Sequence, residues 1–288
     1  MSTIISTGLS TAFITLFEAE VKQANQGESV LNNSVRMRTN VQGSQVKFPK
    51  IGKGVAQTRT PQTDVVPLNT DFSTVTATMQ DFIAAEYSDI FDQSKVNFDE
   101  RQELAQVVGK AIARREDQII IDVMEAASPG STIANTVVTS GSATASDLNI
   151  GKIIAAKKAM DAANVPPTDR HAVVHANSIA GLLGDERAIS GDFQNIRALV
   201  QGEIDTMMGF QFHVVGDRSE GGLAIDGSSD RNTFFYHRSA IGCGVSVAPK
   251  VEVNYVPEKT SFLVSAMYSA GAVVIDTEGL IKVTCRES

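Results

Sequence analysis

The residues best suited to metal binding in this chain of 288 residues are its four histidines. His171 and His175 begin and end the apolar sequence HAVVH, which is typical of a buried strand. In a strand both rings point to one face, because side chains alternate and the two residues are four apart. No Asp, Glu or Cys completes the pair at the spacing of a zinc site. We therefore expect ordinary strand histidines, and the same for His213 and His237.

The two cysteines, Cys243 and Cys285, are too few for a disulfide framework and fit a reducing cytosol. A cysteine nucleophile would need a partnered histidine and an electropositive pocket, which the sequence does not indicate. The glycines on either side of Cys243 suggest only a close backbone turn. No nucleophile elbow, Walker loop or dinucleotide fingerprint occurs. We predict no catalytic residues, no metal and no cofactor, and hence a protein that is not an enzyme.

The charge balance argues against a dedicated nucleic-acid-binding protein. Lys and Arg number 25 and Asp and Glu number 33, so the net charge is −8 and any contact with DNA is weak and non-specific. A hydrophobic fraction of 42% is ordinary for globular proteins and excludes wholesale disorder. The chain lacks a signal-peptide pattern, and its longest apolar run, residues 262–275, is too short to span a bilayer. We expect a soluble intracellular product without membrane contact.

Two elements near the start of the chain lack a core of their own. Residues 9–26 have apolar side chains at helical spacing and predict an amphipathic helix that must cover some surface. Alternating residues around Val46 and Phe48, and again in residues 72–79, predict the two strands of a long ribbon with a Gly/Pro-rich tip. An isolated hairpin is marginal in water, so we expect the ribbon (residues 41–80) to lie on another chain.

Unlike charges are separated along the chain. Residues 29–63 contain six basic and no acidic residues, whereas residues 184–230 contain nine acidic and three basic ones. This asymmetry favours head-to-tail self-association, although a solvated hairpin and a phosphate-binding surface remain alternatives for the basic segment. The predicted inter-subunit contacts of the ribbon are Arg36, Arg38, Lys47, Phe48, Lys50, Lys53 and Arg59. The predicted acidic surface consists of Asp185, Glu186, Asp192, Glu203, Asp205, Asp217 and Glu220.

The clearest single element is a helix over residues 97–127, with Asn97 as its cap and Glu100 three residues later. Its length of about 45 Å is that of a strut. The following residues alternate helices with strands, which predicts an α/β lobe. The predicted helices cover residues 146–163, 177–183 and 194–201, and the predicted strands cover residues 135–139, 171–175 and 209–215. Short strands dominate from residue 233 onward.

This order of elements resembles the major capsid proteins of tailed bacteriophages, which have the Hong Kong 97-type coat fold. The ribbon, with VKFP at residues 46–49, is similar to the extended loop (E-loop) of that family, and residues 98–124 look like its spine helix. MGFQF at residues 208–212 and YHRSAIG at residues 236–242 resemble passages into and out of the axial domain. YSAGAVV (268–274) and GLIKV (279–283) look like the last strands. The resemblance covers most of the chain and rests on order and pattern.

The resemblance implies an α+β fold in four parts. These parts are an N-terminal arm (1–40), the ribbon as the E-loop (41–80), a peripheral domain (81–145 and 246–288) with spine helix 97–127, and an α/β axial domain (146–245). No long helical segment precedes the arm, so a separate scaffolding protein is expected.

The function implied by the resemblance is structural. Pentamers and hexamers of the chain would form the icosahedral virion capsid around the double-stranded DNA of a tailed phage, assembled in the host cytoplasm. A portal and a possible decoration protein are further implied partners. Two alternatives remain: an encapsulin-like cellular shell around a cargo enzyme, and a soluble α/β enzyme that uses residues 145–245. The enzyme alternative leaves the basic ribbon unexplained.

Overall fold

A computed structural model describes residues 26–65, 67–93, 99–139, 144–184 and 206–287. These residues form an α+β structure, as the sequence predicts. The helix predicted over residues 9–26, apart from its last residue, and the helix predicted over residues 194–201 lie outside the described residues. The described strands are β1 (Arg36–Arg38), β2 (Gln45–Ile51), β3 (Phe72–Thr78), β4 (Gln80–Asp89), β5 (Ser131–Ile133), β6 (Arg170–His175), β7 (Thr206–Met207), β8 (Phe210–Val215), β9 (Asp230–His237), β10 (Ile241–Val256), β11 (Ser261–Val274) and β12 (Leu280–Arg286).

The helices are α1 (Ile90–Gln93), α2 (Glu100–Ala126), α3 (Ile150–Ala162) and α4 (Ala176–Gly184). The strut predicted from the sequence is α2, which has 27 residues. Its first turn is capped by Asp99, whose carboxylate accepts a hydrogen bond from the Arg101 backbone N–H. Asp99 thus holds the cap position predicted for Asn97, and the helix begins three residues later than predicted. Asn149 likewise caps α3 in place of the predicted Ser146.

A four-stranded sheet carries the long helix. Its strand order is β1-β10-β11-β4, and β10, β11 and β4 are antiparallel neighbours while β1 adds in parallel to β10. One face packs against α2, because residues such as Val264, Ala266 and Tyr268 alternate inward along β11 and meet Ile112 of the helix. The pairing of β11 with β4 runs without interruption from Ser261–Asp89 to Ala270–Gln80.

A second, six-stranded sheet has the order β5-β12-β9-β6-β8-β7 and forms a core with α3 and α4. The strand expected at residues 135–139 is absent there, and β5 at Ser131–Ile133 pairs with β12 in its place. The last strand, β12, was grouped by sequence with the peripheral domain. It hydrogen-bonds instead to β9 within the six-stranded sheet. Segments predicted to belong to one domain are therefore divided between the two sheets.

The largest core joins the two sheets through α2. It contains Ile120 and Met124 of the helix, Tyr268 of the four-stranded sheet, and Tyr236 and Leu280 of the six-stranded sheet. A helix that contributes side chains to one continuous core with both sheets fixes their relative position. The strut thus connects the two halves of the described structure rather than supporting one of them alone.

Candidate assembly surfaces

The predicted ribbon is present as β2 and β3, which pair antiparallel from Gln45–Thr78 to Ile51–Phe72. The base of the ribbon packs across the four-stranded sheet at positions where the sheet has glycine residues. A Cβ atom on Gly271 would lie 2.2 Å from the Thr78 carbonyl oxygen, and one on Gly244 would lie 2.6 Å from Cγ1 of Val46. Gly244 and Gly271 are directly paired between β10 and β11. Because these two glycines have no side chains, the base of the ribbon packs directly against the backbone of the sheet. We call this contact the glycine seat.

Phe48 is one of the predicted inter-subunit contacts, but the structure places it inside its own subunit. Its side chain is 2% exposed and packs with Val41, Ala77 and Ile275 in a small separate core. The absence of a side chain on Gly242 leaves room for the Phe48 ring. The Gly-Cys-Gly sequence around residue 243 is thus part of a strand under the ribbon rather than a turn. Alternation predicted a strand at Phe48, but not that its ring is buried within its own subunit.

Two predicted contact lysines also bind within their own subunit. The Lys50 Nζ atom lies 2.9 Å from the Asp276 carboxylate. Lys53 donates a hydrogen bond to Glu278, and this bond raises the pKa of the Lys53 ammonium. Asp276 caps the short 3-10 turn Thr277–Gly279 before β12, and Glu278 lies within this turn. These ion pairs are exposed and contribute little stability, but they set the direction in which the ribbon leaves the sheet.

The remaining predicted basic contacts are exposed. Arg36 and Arg38 are two residues apart and therefore lie on the same, exposed face of β1. The Arg38 Nη1 atom lies 3.4 Å from the Lys47 carbonyl oxygen. The Lys47 side chain faces solvent on β2, and Arg59 is exposed near the end of the ribbon. Four of the seven predicted residues therefore remain available to a neighbouring molecule.

All the described residues of the ribbon tip (residues 52–69) are exposed. They include apolar side chains, with Val55 81%, Val65 82% and Leu68 54% exposed. The two limbs touch where a Cβ on Gly54 would meet Leu68, and beyond that point they enclose an open gap of about 450 Å³. The tip thus has no core of its own, as the sequence predicted for the ribbon.

The predicted acidic surface can be followed only in part. Glu220 is largely buried and accepts a hydrogen bond of 2.9 Å from Arg114 of α2. Asp217 is exposed, and its carboxylate lies 3.3 Å from His175 and 3.2 Å from Arg231. Both carboxylates are therefore paired within the subunit. The other five predicted residues, Asp185, Glu186, Asp192, Glu203 and Asp205, lie outside the described residues.

A residue missed by the sequence analysis fixes the end of the N-terminal arm. Asp117 of α2 is fully buried and accepts hydrogen bonds from the Ser29 hydroxyl, at 2.8 Å, and from the backbone N–H groups of Val30 and Leu31. Arg218 completes the site with an ion pair of 2.7 Å. The sequence did indicate a buried position for Asp117. It lies three residues before Ile120 and four before Ile121, which are buried on the same helix.

The side chains with possible chemistry are occupied by packing. Burial raises the pKa of Cys243 to about 12 and that of Cys285 to about 11, so both thiols are protonated. His171 Nδ1 lies 3.0 Å from His213 Nε2, and burial lowers the pKa of His171 to about 4. In the described ranges no three His, Cys, Asp or Glu side chains are grouped as metal ligands. In the described residues the two thiols and the His171–His213 pair are thus held by packing and hydrogen bonding.

The sequence profile of a family described as "Phage capsid protein" matches residues 9–287, nearly the whole chain. The chain belongs to this phage capsid protein family. Its fold is similar to the capsid structure of cyanophage P-SCSP1u, with 18% identity, a TM-score of 0.76, and coverage of 100% of this chain and 97% of that one. The head structure of Helicobacter pylori bacteriophage KHP40 is similar at 10% identity and a TM-score of 0.76, with both chains covered completely. Mycobacterium phage Che8 gives 20% identity and a TM-score of 0.67, with 93% and 96% covered. No curated protein matches the chain.

This capsid protein therefore has the Hong Kong 97-type coat fold, and the predicted resemblance to tailed-phage major capsid proteins is confirmed. It is a major capsid protein that self-assembles into a shell, and its location is the virion capsid. The matches do not support a cellular compartment or an enzyme. In the parts of the chain that the structure describes, no helix is long and apolar enough to cross a membrane.

Proposed function

We propose that this capsid protein forms an icosahedral shell of pentamers and hexamers around the double-stranded DNA of a tailed phage. Assembly takes place in the host cytoplasm, with a separate scaffolding protein and a portal, and a decoration protein as a possible further partner. The capsid protein itself has no catalytic role and uses no cofactor. The support is family membership together with the exposed apolar and basic side chains of the ribbon.

The observation that carries this proposal is the contrast between the two ends of the ribbon. The base is held by a buried aromatic ring and by the glycine seat, whereas every described residue of the ribbon tip is exposed. A tip that leaves so much apolar surface in water becomes stable when it lies on a neighbouring subunit. The base then holds the ribbon in place on its own subunit, and the tip makes the contact with the neighbouring subunit.

The four-part division is retained as a proposal with one adjustment. The arm (1–40), the ribbon (41–80) and the axial domain (146–245) keep their proposed bounds. The peripheral domain (81–145 and 246–288) gives two strands, β5 and β12, to the sheet of the axial domain. We propose that the axial domain meets its symmetry mates at five-fold and six-fold centres, while α2 stiffens the subunit between them.

The relation to DNA follows from charge. With a net charge of −8, an assembled shell presents more negative than positive charge. Such a wall repels phosphate groups on average, so packaged DNA makes only weak, non-specific contacts with it. This arrangement favours both packaging and release of the genome.

A deletion tests the role of the ribbon tip. Removal of residues 55–67 joins Gly54 to Leu68, which already touch, and leaves β2, β3 and the Lys50–Asp276 ion pair in place. We expect soluble subunits with the far-UV circular dichroism of the unaltered protein that form no shells in negative-stain microscopy. Shells at the yield of the unaltered protein, prepared in parallel, would show that the tip is not an assembly arm.

A further inference from the structure

The outer edge of β4 is an unprotected sheet edge. β4 is the last strand of the four-stranded sheet, and no described strand pairs with its free side. Edge strands are usually protected by proline, lysine or a bulge, because their free N–H and C=O groups otherwise recruit another strand. β4 has ten residues, contains neither proline nor lysine, and pairs with β11 without a register shift. Its three charged side chains are all acidic, so they disfavour an acidic strand but not a basic one.

The chemistry of this edge selects its partner. β4 carries Asp81, Glu86 and Asp89 and no basic residue. Its most exposed apolar side chain, Ile83, is 68% exposed and borders a groove of about 340 Å³ on the open face of the sheet. Pairing of two β4 strands from different copies would bring like charges together. The expected partner is therefore an extended segment with basic and apolar side chains.

The first limb of the ribbon tip (residues 53–60) is such a segment. It contains Lys53, Arg59 and the exposed Val55, and it has no acidic residue. The backbone groups of residues 53–59 form no hydrogen bond with any described part of their own chain. Its length of eight residues is close to that of β4. Lys53 is already paired with Glu278, whereas Arg59 has no ion pair among the described residues and is the charge of the limb that a partner can meet.

We infer that the first limb of the ribbon tip of one copy adds as a strand to the outer edge of β4 in a neighbouring copy. Each partner satisfies the free backbone groups of the other, as in recognition by strand addition. With the two strands parallel, Arg59 faces Glu86 and Val55 lies beside Phe82 on the same face, while Ala56 lies beside Ile83 on the other face. This inference rests on the proposed function and specifies which surface of the neighbour receives the arm.

Disulfide formation tests the pairing in the full chain. We would combine Glu86→Cys with one cysteine at a time at Gln57, Thr58, Arg59 or Thr60, and assemble shells under mild oxidation. The natural cysteines are both buried and do not interfere. Neighbouring strands bring Cα atoms within disulfide range, and side chains alternate. We expect crosslinked oligomers on non-reducing gels at positions 57 and 59, which share the face of Arg59, and not at positions 58 and 60.

The matched control is Lys250→Cys, which lies on β10, two strands and roughly 10 Å from β4. It should give no crosslink with any of the four positions. Shells that form normally without crosslinks to position 86, or with equal crosslinks at all four limb positions, would overturn the strand pairing but leave the proposed function intact. Failure of the unaltered protein to form shells, both alone and together with its scaffolding protein, would overturn both.

A charge exchange provides a second measurement without added cysteines. Glu86→Lys should lower the shell yield by about tenfold or more, because the new lysine faces Arg59 across the interface. Adding Arg59→Glu in the same chain should restore much of the yield. Restoration supports the pairing, whereas a yield unchanged by Glu86→Lys, or a double variant as defective as the single one, contradicts it.

Discussion

Asp117 shows how one buried carboxylate joins segments that are distant in sequence. It receives two backbone N–H groups of the arm and the guanidinium group of Arg218, which lies after β8. A fully buried charge is stable only when it is paired and hydrogen-bonded, and this one is both. The end of the arm, the long helix and the 216–222 loop are thereby held at a single point.

Replacement of Asp117 by Asn should destabilise the folded subunit. The change leaves Arg218, itself largely buried, without its negative partner. Breaking one side of a buried ion pair typically costs about 3–5 kcal/mol. We expect a loss of this size in the free energy of unfolding, measured by urea denaturation of unassembled subunits. Asp122→Asn, at an exposed position of the same helix, is the control and should shift that free energy by less than about 0.5 kcal/mol.

At the scale of elements, the ribbon depends on the strands beneath it. Three glycines in β10 and β11 let β2 and β3 approach the sheet more closely than any side chain would allow. The small core around Phe48 and the ion pairs at residues 276 and 278 then fix the position of the ribbon. The same design explains why a tip without a core can still be presented in a defined direction.

Gly271→Ala should disturb this seat. The new methyl group would lie 2.2 Å from a backbone oxygen that no rotamer change can move away. We expect the free energy of unfolding to fall by about 1–3 kcal/mol, as for overpacked sites, and the shell yield to fall because the ribbon is displaced. Gly227→Ala, with no atom within 4 Å of the added group, is the control. Equal behaviour of the two variants would contradict a role for the glycine seat.

At the scale of the whole molecule, the core around α2 holds both sheets together and contains an unusual charge. Glu116 of α2 is 6% exposed, and among the described residues its carboxylate accepts a hydrogen bond of 3.3 Å from the Tyr268 hydroxyl. Burial raises the pKa of Glu116, and the neighbouring Asp117 adds to the effect. A carboxylate in this position is easier to bury when it is protonated.

The pH dependence of unfolding follows from the sign of this shift. Because the pKa of Glu116 is higher in the folded state than its usual value of about 4.5, its stabilising contribution is complete at low pH and is lost as pH rises through the raised pKa. Glu116→Gln removes this loss and keeps an acceptor for Tyr268. The melting temperature of the variant, relative to the unaltered protein, should therefore be higher at pH 8 than at pH 5.

Two features make this comparison specific. The lowered pKa of His171 acts in the opposite direction, because it removes stability as pH falls, but it is the same in both proteins and cancels in the difference. Glu258→Gln, at an exposed position of a turn, should leave the melting temperature nearly unchanged at both pH values. A Glu116→Gln difference that does not grow with pH would show that this carboxylate is not a destabilising charge.

Local sequence patterns determined much of the fold because they report on single elements. The 3.6-residue period predicted α2 to within a few residues, alternation predicted β2, β3 and β8, and an apolar run predicted β6. The order of these elements was sufficient to identify the capsid fold. The ribbon tip was also recognisable as a segment without a core, since glycine, proline and polar residues cannot supply one.

Partners across the sequence were decided only by the tertiary structure. Nothing near Phe48, Lys50 or Lys53 in the sequence indicates that residues 242, 276 and 278 face them, so contacts expected between subunits were found within one. The same is true of β12, whose alternation is compatible with either sheet and whose neighbour is β9. Periodicity fixes which side of an element is buried, whereas the identity of the covering surface depends on how the whole chain packs.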